Sequence, residues 1–499
     1  MKNILRVVSL AIPVFIAPGS AIGGALEDYV KRPDANYAWS MYDDSWGVLA
    51  NYYFLRLRSQ QWLDATRVDR PLWEHEIRIA QPRPQLCGES AKSKTAIIIV
   101  SGGGNRPDGS MGNTVSWSNS LLAHAFCRTI VELKQVPNQP IVFTDETASR
   151  KEDGIIAYTF DRYLRGVEGD WPVQLAMVRS VVQAMTAIQE FSRTQDNIPD
   201  IEDFVLVGAS KRGWTTWLTA AVDPRVRAIV PVSIDMPGIA QQFPHMLAAY
   251  GEFSPALKDY TAFDIGCRMA GPRGRDLMGI IDPIAYRERL KMPKLILNSA
   301  GDQFFVSDSW RFYYDDLMGD KRLRYTVNSD HGHSDGSGSK NAKAFTRFKL
   351  LLQARNWIND VLDGREPPHL DWQRTPEQLV VQPSAEPRTM KLWTADNPVA
   401  RDFRLATLGP AWKSQTLEAD ADGKYRVNLQ SPQRGWRAVM VEAVFGGFTE
   451  LNQQVYTTGV YVLPDTLPFA SAPACADKAV ALKGGASNSA HAASMSQKP

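Results

Sequence analysis

Apolar runs and helical-period stretches alternate along the chain from about Thr95 to Leu362. Thr95 to Val100 is almost unbroken in aliphatic residues, which fits a strand covered on both faces. Phe204 to Val207, Val226 to Ser233, Pro293 to Asn298 and Arg324 to Val327 read as strands too, and Ile141 to Thr144 reads as a further short one. His75 to Ala80 alternates apolar and polar positions, the period of a strand with one covered face. Trp171 to Phe191 and Ala344 to Leu362 instead carry apolar residues at helical intervals, and Trp214, Trp217, Leu218 and Ala221 recur at i, i+3, i+4 and i+7. Strands alternating with helices imply right-handed crossovers and a mostly parallel sheet, so the expected fold class is α/β. Asp235 to Met292 breaks this rhythm. Rich in Phe, Tyr, Met and Pro, it is long enough to form a cap over a site at the strand ends.

From about Pro367 the texture changes to short strands between turn-rich joins: Leu379 to Val381, Thr389 to Trp393, Tyr425 to Leu429, Trp436 to Val441 and Val455 to Val462. These predict a small all-β, sandwich-like domain. The expected organisation is a signal peptide over 1–25, an α/β domain over 26–366 with its cap around 235–292, and the β domain over 367–470. The remainder, 471–499, is rich in Ala, Ser, Gly and Lys and is expected to be a disordered tail.

Composition narrows the function classes. A chain of 499 residues holds one large domain and an appendage. Its net charge of +2 lacks the basic field that a nucleic-acid partner would require. Lys2 and Arg6 precede an apolar run from Val7 to Ala17 and small residues from Gly19 to Ala25, which reads as a secretory signal cut near Ala21 or Ala25. That run is too short to span a bilayer, and no later segment is long and apolar enough. A periplasmic or secreted location is expected. Export permits disulfides among Cys87, Cys127, Cys267 and Cys475, though the spacings dictate no pairing and resemble no metal-ligand cluster. No cofactor is expected.

The densest chemistry lies at Gly208-Ala-Ser-Lys-Arg-Gly213, between the strand ending at Val207 and the helix opening near Trp214. A serine on a sharp strand-to-helix turn has the geometry of a nucleophile elbow, which makes Ser210 the expected nucleophile. A serine hydroxyl needs a base to take its proton and an acid to hold that base. Asp302 follows the strand ending at Asn298, with Asp308 as the alternate acid. His331 follows the last strand, with His333 as the alternate base. This gives the order serine, acid, histidine of parallel-sheet hydrolases. Oxyanion donors are expected from the N–H of Lys211 and from Gly103, Gly104 or Asn105 after the Thr95 to Val100 strand. The side chains of Lys211 and Arg212 are expected to add electrostatic stabilisation, to bind substrate through a carboxylate, or to stand solvated at the mouth of the pocket.

With these residues assembled, the chain resembles the PhoPQ-activated pathogenicity-related protein family, members of the α/β-hydrolase superfamily. The resemblance is carried by Val131 to Pro140, Glu152 to Phe160, the Trp171-Pro172 helix start, Gly208 to Trp214, Gly301 to Phe305 and Asn328 to His331, and extends over roughly Leu26 to Pro464. It implies an α/β-hydrolase fold, export, an association with envelope stress or virulence, and a serine-hydrolase site with His331 as its histidine. The glycine three residues after the serine is also similar to glucuronoyl esterases. Their motif has arginine directly after the serine, where this chain has Lys211, which argues against a glucuronoyl substrate. The expected function is therefore cleavage of a small-molecule ester or a peptide bond through an acyl-enzyme. The alternative is a catalytically idle hydrolase scaffold that binds a partner.

Overall fold

The aliphatic runs pair into one nine-stranded sheet. The computed structural model describes residues 24–335, 340–471 and 475, so residues 1–23 of the expected signal segment and nearly all of the expected tail lie outside the described residues. In chain order the strands are β1 (Ala38–Trp46), β2 (Ala50–Gln61), β3 (Leu72–Pro82), β4 (Thr95–Val100), β5 (Ile130–Leu133), β6 (Asp203–Ala209), β7 (Val226–Val232), β8 (Lys294–Ser299) and β9 (Lys321–Thr326). Their spatial order is β1-β2-β3-β5-β4-β6-β7-β8-β9. Neighbours from β5 through β9 are parallel, while β1, β2 and β3 add antiparallel strands at one edge. The chain runs from β4 to β5 on one side and returns to β6 on the other. The strand order thus reverses beside β4 and β6, and ligand sites in such sheets form at the carboxyl ends of strands flanking that point.

Alternate side chains of each central strand feed two cores. Phe204 and Leu206 of β6 pack with the helices Asp153–Leu164, Val173–Ser192 and Lys211–Val222 on one face. Val205 and Val207 pack on the other with Leu122 and Phe126 of helix Trp117–Phe126 and with Trp357 and Ile358 of helix Lys340–Leu362. Coverage on both faces explains why these strands are aliphatic at consecutive positions.

Beyond helix Lys340–Leu362 the strands are antiparallel. One sheet joins Leu370–Arg374, Gln378–Pro383 and Tyr425–Asn428; a second joins Lys413–Thr416, Thr389–Asn397, Trp436–Gly446, Gln453–Thr457 and Tyr461–Leu463. They dock on the parallel sheet through Tyr325, whose N–H donates to Thr457 Oγ1 at 3.0 Å, and through Trp310, whose indole N–H donates to the Val460 carbonyl at 2.8 Å.

Two expectations need correction. Ile141 to Thr144 is not a strand; Ile141 and Phe143 make isolated bridges to Arg150 and Val68, because Ile130–Leu133 takes the sheet position beside β4. The run from Val455 to Val462 is broken at Thr458 to Val460 into two strands. The segment before His75 also contains two strands, β1 and β2, that no expectation covered.

Candidate active site

The turn after β6 gives Ser210 its character. Its φ of 57° and ψ of −129° lie in a region that residues with side chains rarely enter. Two glycines make the turn possible. A Cβ on Gly208 would stand 2.3 Å from the Arg212 carbonyl oxygen, and one on Gly213 would stand 2.8 Å from the Gly208 carbonyl oxygen. The Gly208–Gly213 spacing is thus the spacing at which strand end and first helical turn touch. The Ser210 N–H donates to the Val232 carbonyl at 2.8 Å, which ties the turn to β7.

His331 Nε2 lies 2.8 Å from Ser210 Oγ, and His331 Nδ1 lies 2.8 Å from Asp302 Oδ2. With the carboxylate on Nδ1, the proton sits there and Nε2 accepts from the serine hydroxyl. Asp302 is held by the Phe304 N–H, which donates to Oδ1 at 2.7 Å, and the His331 N–H donates to Gln303 Oε1 at 3.0 Å. The Phe304 ring lies against the imidazole with centroids 4.4 Å apart. Residues from beyond the parallel sheet brace both loops. The Leu405 N–H donates to the Gly301 carbonyl at 3.0 Å, and Trp412 and Asn328 exchange two hydrogen bonds of 3.0 and 3.1 Å.

The alternates sit elsewhere. His333 is buried, with its ring nitrogens on Ser233 Oγ at 2.9 Å and Thr326 Oγ1 at 2.8 Å. Asp308 is also buried, 2.8 Å from His245 Nε2 and 2.7 Å from Arg401 Nη2. Burial would raise its pKa, but the His245 hydrogen bond and the Arg401 charge hold it far below the ordinary carboxylate range. It opens the short turn Ser309–Phe312 without capping it, contrary to the capping role that its position suggests.

Two expectations about the cations are corrected. Lys211 Nζ pairs with Glu152 at 3.1 Å and Asp153 at 3.2 Å, and Arg212 pairs with Glu152 at 2.7 Å while its Nε donates to the Val136 carbonyl. Both side chains are largely buried, so neither stands as a solvated charge or a free anchor for a substrate carboxylate. Among the expected oxyanion donors, the Asn105 N–H is engaged by the Gln139 carbonyl at 2.7 Å and is withdrawn from that role. Gly103 is held by the Gln139 amide, which donates to its carbonyl at 3.0 Å. The Lys211 N–H is the first of its helix, a position without an intrahelical acceptor.

Sequence reasoning gave Glu152 and Asp153 no role in the site. The available signal was the Lys211-Arg212 pair itself: cations are buried only when paired, so a Lys-Arg pair in a first helical turn calls for carboxylates elsewhere. Beside Ser210 opens an apolar cavity of about 80 Å³, walled largely by the helices between β7 and β8. A larger polar cavity of about 690 Å³ lies at the seam with the C-terminal sheets and reaches none of Ser210, Asp302 and His331. Among the described residues, no group of three or more His, Cys, Asp or Glu is arranged to hold a metal ion.

The strand order, with the strained serine turn after β6 and the Asp302 and His331 loops after β8 and β9, defines an α/β-hydrolase fold. The chain belongs to the PhoPQ-activated pathogenicity-related protein family, whose model matches residues 26–404. It is 32% identical over 509 residues to autocrine proliferation repressor protein A of Dictyostelium discoideum, covering 95% of this chain and 96% of that protein. Solved structures with some likeness include acetyl xylan esterase 1 from Thermoanaerobacterium sp. (16% identity, 66% of this chain and 92% of that one, TM-score 0.40). Another is the acylaminoacyl peptidase of Pyrococcus horikoshii (16% identity, 67% and 51%, TM-score 0.38). Both are too distant to carry an argument about activity.

Proposed function

We propose that the protein is an exported serine hydrolase that cleaves an ester or a peptide or amide bond through an acyl-enzyme. The observation that carries this reading is the continuous line from Ser210 Oγ through His331 to Asp302, with both contacts at 2.8 Å. Ser210 attacks the carbonyl carbon as its proton passes to His331 Nε2, and Asp302 stabilises the resulting imidazolium. The Lys211 N–H, with an N–H from Gly103 or Gly104, receives the oxyanion. The proton then passes to the leaving group, and water, activated by the same imidazole, releases the acyl group. Export is supported by two disulfides, Cys87–Cys127 and Cys267–Cys475, which persist in oxidising surroundings. No described helix is long and apolar enough to cross a membrane. The family's description, which speaks of pathogenicity, supports a link to virulence.

The test is labelling of the folded protein by a fluorophosphonate. Labelling that is lost in Ser210→Ala supports the hydrolase; folded wild type that stays unlabelled refutes it. A second reading, a partner-binding scaffold that does no chemistry, is favoured by the Dictyostelium relative, which is named for repression of proliferation. That reading requires the unlabelled outcome.

A further inference from the structure

The cavity beside Ser210 differs from the seam cavity in its walls. Met236, Met246, Met269, Phe160, Phe243 and Trp214 are typical of them, and Ser210 and Phe304 also line it. Asp153 is the carboxylate in the wall. Its charge is taken by Lys211 Nζ at 3.2 Å, and Tyr260 donates to it at 2.9 Å. An incoming ionic group would find that carboxylate and cation already paired, and burying a charge without a partner is strongly unfavourable. The lining also orients the cavity. It includes Ser210 but not His331. The imidazole must face the departing oxygen or nitrogen to protonate it, so a cavity that reaches the nucleophile without reaching the imidazole receives the other side of the scissile bond.

We infer that this cavity is the acyl-side pocket and that it selects a compact, uncharged acyl group, an inference that rests on the hydrolase reading above. Its volume of about 80 Å³ is roughly half that of a 150 Å³ dry cavity that accepts benzene, which limits the acyl chain to about two to four carbons. In the acylation step the bond from Ser210 Oγ to the acyl carbon forms, the bond to the leaving atom breaks, and the Oγ proton reaches that atom through His331. Water then returns the acid and free Ser210. The methionines set the depth of the pocket, because an unbranched thioether fills irregular space and yields to truncation.

The test uses the full chain and 4-nitrophenyl acetate, butanoate, octanoate and hemisuccinate. The expected result is the highest kcat/KM for acetate or butanoate, with octanoate and the charged hemisuccinate each at least about tenfold lower. Met246→Ala and Met269→Ala are expected to move the optimum toward longer chains. Wild type that is labelled by fluorophosphonate yet cleaves octanoate or hemisuccinate as well as butanoate overturns the pocket assignment and leaves the hydrolase intact. Absence of both labelling and ester turnover overturns both. The wild-type profile decides the matter even if the alanine variants do not fold.

Discussion

Ser210 and Glu152 adopt the same uncommon backbone conformation: φ and ψ are 57° and −129° at the serine, and 53° and −127° at the glutamate. Each residue opens a helix, and each such conformation costs on the order of 1–3 kcal/mol unless its surroundings enforce it. The surroundings here are shared, because the Glu152 carboxylate receives Lys211 and Arg212, the two residues directly after the serine. Each strained turn is anchored by charge from the other.

Glu152→Gln is therefore expected to lower kcat by roughly tenfold to a hundredfold with little change in KM, because it loosens the elbow without touching substrate. Partial recovery in Glu152→Asp would mark the effect as electrostatic positioning. Burial alone would raise the Glu152 pKa, but Arg212 and Lys211 bring it down to about 2 from an ordinary 4.5. Its folded pKa lies below the unfolded one. The stabilisation is therefore full above about pH 4.5 and is lost as pH falls toward 2. Acid melts should show this loss in wild type and not in Glu152→Gln.

His331→Ala and His333→Ala should separate chemistry from packing. Loss of His331 is expected to cut turnover by roughly a thousandfold or more with a near-native melting temperature. Loss of His333 leaves the Ser233 and Thr326 hydroxyls short of a buried partner and is expected to cost about 1–3 kcal/mol in denaturant titration. Equal loss of turnover in both variants would count against His331 as the base.

Asn328→Ala removes the paired hydrogen bonds between the His331 loop and Trp412. Turnover should fall severalfold to tenfold through misplacement of the imidazole, with KM little changed. An unchanged kcat would show that the loop is rigid without its brace.

Some of this architecture was legible before the structure. Thr95 to Val100 coincides with β4 because a strand covered on both faces must be aliphatic throughout. β2 escaped because Arg56 and Arg58 interrupt its apolar run. Their charges are met by Glu74 of the neighbouring strand, a pairing that no local pattern contains. Ser210, Asp302 and His331 stood out through their order along the chain and their position after strands. Glu152 did not, since its carboxylate acquires meaning only once Lys211 and Arg212 are seen to be buried. The bracing by Leu405 and Trp412 crosses from one sheet system to another and leaves no periodic trace.

Asp235 supplies a pH dependence of opposite sign. Burial pushes its carboxyl up to about 7, against the hydrogen bonds from Tyr313 and Tyr325 and with added repulsion from Asp302 and Asp308. The folded state holds a proton that the unfolded state releases near 3.8, so stability falls as pH rises from about 4 to 7. Asp282, pushed up to about 6 by burial, adds to the same trend. Melting temperatures across that range should decline less steeply in Asp235→Asn.

The disulfides offer a separate check. Non-reducing peptide mapping is expected to recover Cys87 with Cys127 and Cys267 with Cys475. Replacing Cys87 and Cys127 together by alanine should lower stability by about 2–4 kcal/mol. Any other pairing would contradict the fold at those positions.

The Cys267–Cys475 bond spans 208 positions and joins the helix Ile265–Arg268, whose Ile265 lines the cavity at Ser210, to a residue far downstream. Because a polypeptide is made from its amino end, Ser210, Asp302 and His331 all exist long before the thiol that fastens this wall. The pocket is latched last, so a chain cut short before Cys475 would carry every reacting group beneath a cover that lacks its covalent latch.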